Sequence, residues 1–172
     1  LLEKTPFTFD LLMHDLSLAA AIIARNIEIK RDVVAADERE GGIRKILNFG
    51  HSIGHAIEAR SGYTRGHGSC VAAGMVAMAR GSRRAGWNAS DLEDDLAERI
   101  DALCRAHGLD TGCPYGTDEL MEAALHDKKR QGDAIDLVIP HSIGAASIER
   151  CDFEQLRAII ELGLAAQAGD AA

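Results

Sequence analysis

The stretch that most constrains how this chain can fold runs from Arg44 to His67, RKILNFGHSIGHAIEARSGYTRGH. Read as one helix, it spaces Arg44, Asn48, His51 and His55 by four, three and four residues. At about 100° per residue these side chains fall within an arc of roughly 60°. An amphipathic helix ordinarily fills its buried stripe with Leu or Ile. Here Ile43, Ile46, Leu47, Ile53 and Ile57 cover the neighbouring faces, so a guanidinium, an amide and two imidazoles border the core. Polar groups so placed need partners, because unpaired burial is costly. A metal ion and an anionic ligand suit this set. Gly50 and Gly54 lie within the same expected helix, where each costs about 1 kcal/mol relative to Ala. They imply close approach of another backbone, a cofactor or a substrate. His51 and His55 have the i, i+4 spacing of paired metal ligands, but Ser52 stands where a zincin HExxH has its Glu. Two satisfied helix histidines are the plainer alternative. That alternative explains either histidine alone better than it explains the whole stripe with both glycines.

The length, 172 residues, fits one domain or one piece of a larger enzyme. Apolar residues make up 47% and aromatics 4%, which points to Ala- and Leu-filled helix packing. A net charge of −8 argues against nucleic acid or an anionic membrane as partner. No apolar run approaches a membrane span and no signal peptide opens the chain, so a cytoplasmic location is expected. Cys70, Cys104, Cys113 and Cys151 contain no CxxC pair and are expected to be reduced. The chain starts at Leu1 and not Met, which suggests an excised fragment.

Periodicity predicts a mainly α fold with one small strand pair near 135–149. Thr5-Pro6 can open a short helix, and Asp15 or Ser17 a long one to about Val34, with an apolar face of Leu18, Ala21, Ile22, Ala24, Ile27 and Ile29. DEREGG at 37–42 is a charged turn. His67 is expected at a helix entrance, followed by a small-residue helix in which Ala72, Ala73, Gly74 and Ala77 suit tight helix contact. Ser90 and Thr117 cap two further helices. AIDLVIP and AASIERC can pair across residues 141–144, and FEQLRAIIELGLAAQ forms a last helix docking Leu156, Ile159, Ile160 and Leu164. Lys30, Lys128 and Lys129 stand at expected helix ends, where a lysine is usually a solvated charge favoured by the dipole.

NFGHSIGHAIE, then His67-Gly68 twelve residues after His55, then VAAGM, resembles the signature of the 3-dehydroquinate synthase family. KRDVVAADEREGGIR upstream and HDKKRQGDAIDLVIPHSIG downstream resemble two further blocks, in the right order over nearly the whole chain. The resemblance implies that residues 1–172 are one C-terminal, helical metal- and substrate-binding domain, without the NAD-binding half. No GxGxxG fingerprint occurs here. It further implies NAD and a divalent metal, Zn2+ or Co2+, and an anionic sugar-phosphate substrate. The implied reaction turns 3-deoxy-D-arabino-heptulosonate 7-phosphate into 3-dehydroquinate and phosphate, in the shikimate pathway of aromatic amino acid biosynthesis. The full-length enzyme is expected to be a homodimer and the fragment alone inactive. His51 and His67 match two metal ligands, and the third, a glutamate, lies outside this chain. Lys30, Arg44, Asn48 and Lys129, with Lys128 as second choice, match substrate-binding positions. His55, Lys129, Arg44 and Asn48 match catalytic ones. DKKxxxG is matched with one residue fewer before Gly132. Ser69 replaces a glutamate after His-Gly that would orient the metal-binding histidine. Two alternatives stay open: a sister sugar-phosphate cyclase (aminodehydroquinate, 2-deoxy-scyllo-inosose or valiolone synthase type), or a non-catalytic helical assembly domain.

Overall fold

The structure, a computed structural model, describes residues 16–39, 41–87, 96–128 and 134–165. In chain order these form α1 (Leu16–Ala36), a 3-10 helix (Ile43–Asn48), α2 (His51–Arg60), α3 (His67–Arg84), α4 (Leu96–Ala106), α5 (Thr117–Lys128), β1 (Ala134–Ser142), β2 (Ala145–Asp152) and α6 (Phe153–Leu164). The fold is mainly helical with one antiparallel strand pair, as the periodicity predicts. The expected short helix after Thr5-Pro6, the Ser90 cap and Lys129 lie outside the described residues.

Helix α3 is the centre of the packing, with α2, α4 and α6 against it. Its small residues make this possible: Ala72, Ala73, Gly74 and Ala77 are all buried. A Cβ at Gly74 would collide with the Gly50 carbonyl, and one at Gly54 would stand 2.9 Å from the Val71 Cα. The backbones of α2 and α3 therefore touch where they cross. A Cβ at Gly81 or at Gly163 would likewise strike backbone of the facing helix, which brings α6 equally close. The close approach expected at Gly50 and Gly54 is thus made by another backbone. Around this crossing Ile53, Ile57, Met78, Leu120, Leu137, Ile139, Leu156, Ile159 and Ile160 form the main core, each at most 1% exposed.

In the hairpin Ile135 faces Cys151 and Val138 faces Ile148, close to the expected 135–149. The turn closes at Gly144, whose φ of 88° suits glycine. β2 runs directly into α6 through a capping box. The Asp152 carboxylate accepts from the Gln155 amide at 2.8 Å, and the Gln155 side chain accepts from the Asp152 amide at 2.9 Å.

One expectation fails in part. The apolar face read into α1 is not buried: no residue of that helix is, and Ile23, Ile27 and Ile29 are exposed. Among the described residues α1 packs chiefly on the 3-10 helix, which is too short to cover a 21-residue helix.

Candidate metal centre

The continuous helix expected from Arg44 to beyond His55 is broken. Residues 43–48 wind as a 3-10 helix, Phe49 leaves it in an extended conformation, and Gly50 turns left-handed at φ 78° to cap α2. Left-handed backbone disfavours most side chains and suits glycine. Arg44 and Asn48 therefore do not share a helix face with His51 and His55. They sit on the preceding segment, where Arg44 is anchored to Asp37 and Glu38. The Asp37 carboxylate accepts from the amides of Gly41, Gly42 and Arg44, and the Arg44 guanidinium donates to the Glu38 carbonyl at 2.9 Å. The backbone amides of Arg44 and Gly42 hold the Asp37 carboxyl below its ordinary range, against the opposing effect of desolvation. Lys45 ties the same segment to β1 through Asp136 at 2.5 Å.

The break places His51 at the first turn of α2 and His55 one turn further on, while His67 opens α3. With the two helices welded at their glycines, three imidazoles converge. Ring centroids lie 5.3 Å apart for His51 and His55, 5.5 Å for His51 and His67, and 5.8 Å for His55 and His67. One ring nitrogen from each lies within 4.8 Å of the others. His51 is half-buried; the other two are exposed.

Two of the rings are oriented by their second nitrogen. His51 Nδ1 is 3.2 Å from the Phe49 carbonyl, which can only accept, so this nitrogen carries the proton and Nε2 keeps its lone pair. His67 Nδ1 is 3.2 and 3.3 Å from the two Glu58 oxygens, which fixes the same tautomer. An imidazole that donates from one nitrogen to a carbonyl or carboxylate presents the other to a metal. The donor set fits a divalent transition metal such as zinc, which favours nitrogen ligands and keeps one position open in catalytic sites.

Of the other candidate residues, Lys30 is exposed on α1 and Lys128 is the last residue of α5. Ser69 is bonded to the loop after α4 and to Arg65. Its hydroxyl accepts from the Asp110 amide at 3.3 Å, and its carbonyl accepts from Arg65 at 3.2 Å.

Four residues that position the site do not stand out in the sequence as doing so. Glu58 lies seven residues after His51 and three after His55, spacings that fall on one helix face and could have flagged it. Arg65 donates to the carbonyls of Ser69, Asp110 and Gly112, stitching the start of α3 to the loop after α4. The Lys45–Asp136 pair spans 91 positions. Neither of these two has a local signal.

The fold recurs in solved structures of synthases with NAD+ and a divalent metal bound. A 2-epi-5-epi-valiolone synthase from Streptomyces hygroscopicus subsp. jinggangensis 5008, with NAD+ and Zn2+ bound, matches at a TM-score of 0.71 and 21% identity, over 88% of this chain and 41% of that one. A 2-deoxy-scyllo-inosose synthase complexed with carbaglucose-6-phosphate, NAD+ and Co2+ matches at 0.64 and 21%, over 78% of this chain and 38% of that one. These likenesses fix the fold.

Sequence fixes the family. The model described as 3-dehydroquinate synthase C-terminal matches residues 2–130, and the chain belongs to that family. A 3-dehydroquinate synthase of Streptococcus suis is 40% identical over 143 residues, covering 82% of this chain and 39% of the relative. That of Citrifermentans bemidjiense is 42% identical over 154 residues, covering 88% and 41%. The chain thus spans about two fifths of the length of the curated relatives it matches.

Proposed function

We propose that this chain is the metal- and substrate-binding part of a 3-dehydroquinate synthase. The assembled enzyme converts 3-deoxy-D-arabino-heptulosonate 7-phosphate to 3-dehydroquinate and phosphate. The observation that carries the reading is the convergence of His51, His55 and His67 from two helices, within 4.8 Å. His51 and His67 would hold Zn2+ or Co2+, with a glutamate from outside this chain as third ligand. Bound there, the metal polarises the hydroxyl to be oxidised and lowers its pKa.

The chain's own residues bind and orient the substrate. The substrate's carboxylate and phosphate call for Arg44, suited to bidentate contact, with Lys30 and Lys129 or Lys128. Asn48 donates to a substrate oxygen. His55, beside the metal ligands, hydrogen-bonds the leaving phosphate and moves a proton there. NAD is held by the part of the enzyme this chain does not contain, so the fragment alone does not turn over. The full-length enzyme works as a cytoplasmic homodimer. The identity of 36–42% to 3-dehydroquinate synthases, against 20–21% to the inosose and valiolone enzymes, favours this substrate over those of the sister cyclases.

The test is steady-state kinetics and thermal melting on the full-length enzyme. Arg44→Ala is expected to lower turnover at least 10-fold, the size of one lost charged contact, with its melting temperature almost unchanged. Normal turnover in that variant would leave the assembly reading ahead.

A further inference from the structure

We infer that Glu58 is a positioning residue of the metal centre, the group that sets the tautomer and the ring orientation of His67. The inference rests on the proposed metal role of His51 and His67. Both oxygens of the Glu58 carboxylate face one nitrogen, His67 Nδ1, at 3.2 and 3.3 Å. The carboxylate is only 20% exposed, whereas the imidazole it holds is 53% exposed. An exposed ring on the first residue of a helix is otherwise free to flip between tautomers and rotamers.

The acid and the ring come from different elements, α2 and α3, so the contact also locks the spacing between His67 and the α2 histidines. At Glu58 the backbone carbonyl is occupied independently, accepting from the Ser61 hydroxyl at 2.7 Å and the Tyr63 amide at 3.1 Å. Changing the side chain leaves that C-terminal turn intact. Ser69, the residue two places after His67, is bonded to Asp110 and Arg65 instead.

The experiment titrates Co2+ into the metal-free full-length enzyme, which supplies the third ligand, by calorimetry, following the cobalt absorption bands. Wild type is compared with Glu58→Ala, Glu58→Gln and His67→Ala. Side-chain nitrogen NMR of the metal-free chains at pH 8 reads the His67 tautomer. Loss of such a partner typically weakens metal binding about 10–100-fold. Glu58→Ala is expected to fall in that range and to shift the His67 proton from Nδ1 toward Nε2. Glu58→Gln, whose amide oxygen still accepts, should keep the tautomer and lose part of the affinity. Cobalt affinity and tautomer both unchanged in Glu58→Ala, with His67→Ala weakened, overturn the role of Glu58 alone. Equal binding by wild type and His67→Ala, or no binding by wild type, overturns the metal assignment and this inference with it.

Discussion

At Asp136 two cations meet one carboxylate: Lys45 at 2.5 Å from the 3-10 helix and Arg150 at 3.0 Å from the facing strand. The Lys45 hydrogen bond and charge, helped by Arg150, hold the Asp136 carboxyl below its ordinary range against the opposing effect of burial. A carboxyl depressed in the folded state stabilises the fold fully above its unfolded value of about 3.9. That contribution disappears as pH falls through the lower folded value. Urea unfolding of wild type should therefore lose stability on going below about pH 4, and Asp136→Asn should flatten that decline. At pH 7 the variant should cost about 1–2 kcal/mol, the worth of a partly shielded charged hydrogen bond. The thiols are quiet residues. None forms a disulfide, and burial raises Cys70, Cys104, Cys113 and Cys151, the last to about 11. Native-state thiol titration at pH 8 should leave Cys151 and the fully buried Cys70 unlabelled, and guanidinium should release all four. Glu58 was legible only as an acid at helical spacing from the histidines and not as the partner of His67. Lys45–Asp136 was not, because nothing local distinguishes a lysine that will find its partner 91 positions away.

Among the elements, the helices were readable and one of their joints was not. The apolar pattern of residues 43–57 is compatible with one helix or with two, and only the left-handed backbone at Gly50 decides between them. Gly50 signals its φ and its close packing by the same residue type, so the sequence alone could not separate the two causes. The small-residue face of α3 was legible, and the Asp152–Gln155 spacing carries a capping-box signature. The α2–α3 crossing is a sharp place to test packing. Gly74→Ala forces a methyl onto the Gly50 carbonyl and the Gly54 amide, both backbone atoms that cannot rotate away. Chemical denaturation should show a loss of about 1–3 kcal/mol or more. Ala at Gly66, which has nothing within 4 Å, should cost far less.

For the whole molecule, stability is unevenly distributed. The core of α2, α3, α5, α6 and the hairpin is continuous, whereas α1 has no buried residue and leans chiefly on the 3-10 helix. Native-state hydrogen exchange should show α1 amides exchanging orders of magnitude faster than those of α3 and α6, because few buried contacts oppose local opening. Equal protection in α1 and α3 would contradict this. The helical class and the hairpin were legible from periodicity and the His51–His55 pair from spacing, whereas His67 joined them only through the family resemblance. The exposure of α1 was not legible, since an apolar face predicts burial without saying which chain supplies the cover. The proposed gathering of Lys30, Arg44 and Lys129 beside His55 belongs to this scale too, and substrate-analogue binding to the complete enzyme would test it.

The glycine crossing also bears on how the metal would be received. The histidines ride on two helices whose spacing is set by backbone touching backbone, which no rotamer change can relax. The chelate is therefore assembled before its ion arrives, in the manner of a macrocycle and not of a flexible chelator. Loading should raise the melting temperature while leaving the far-ultraviolet circular dichroism spectrum of the chain superimposable on that of the metal-free form.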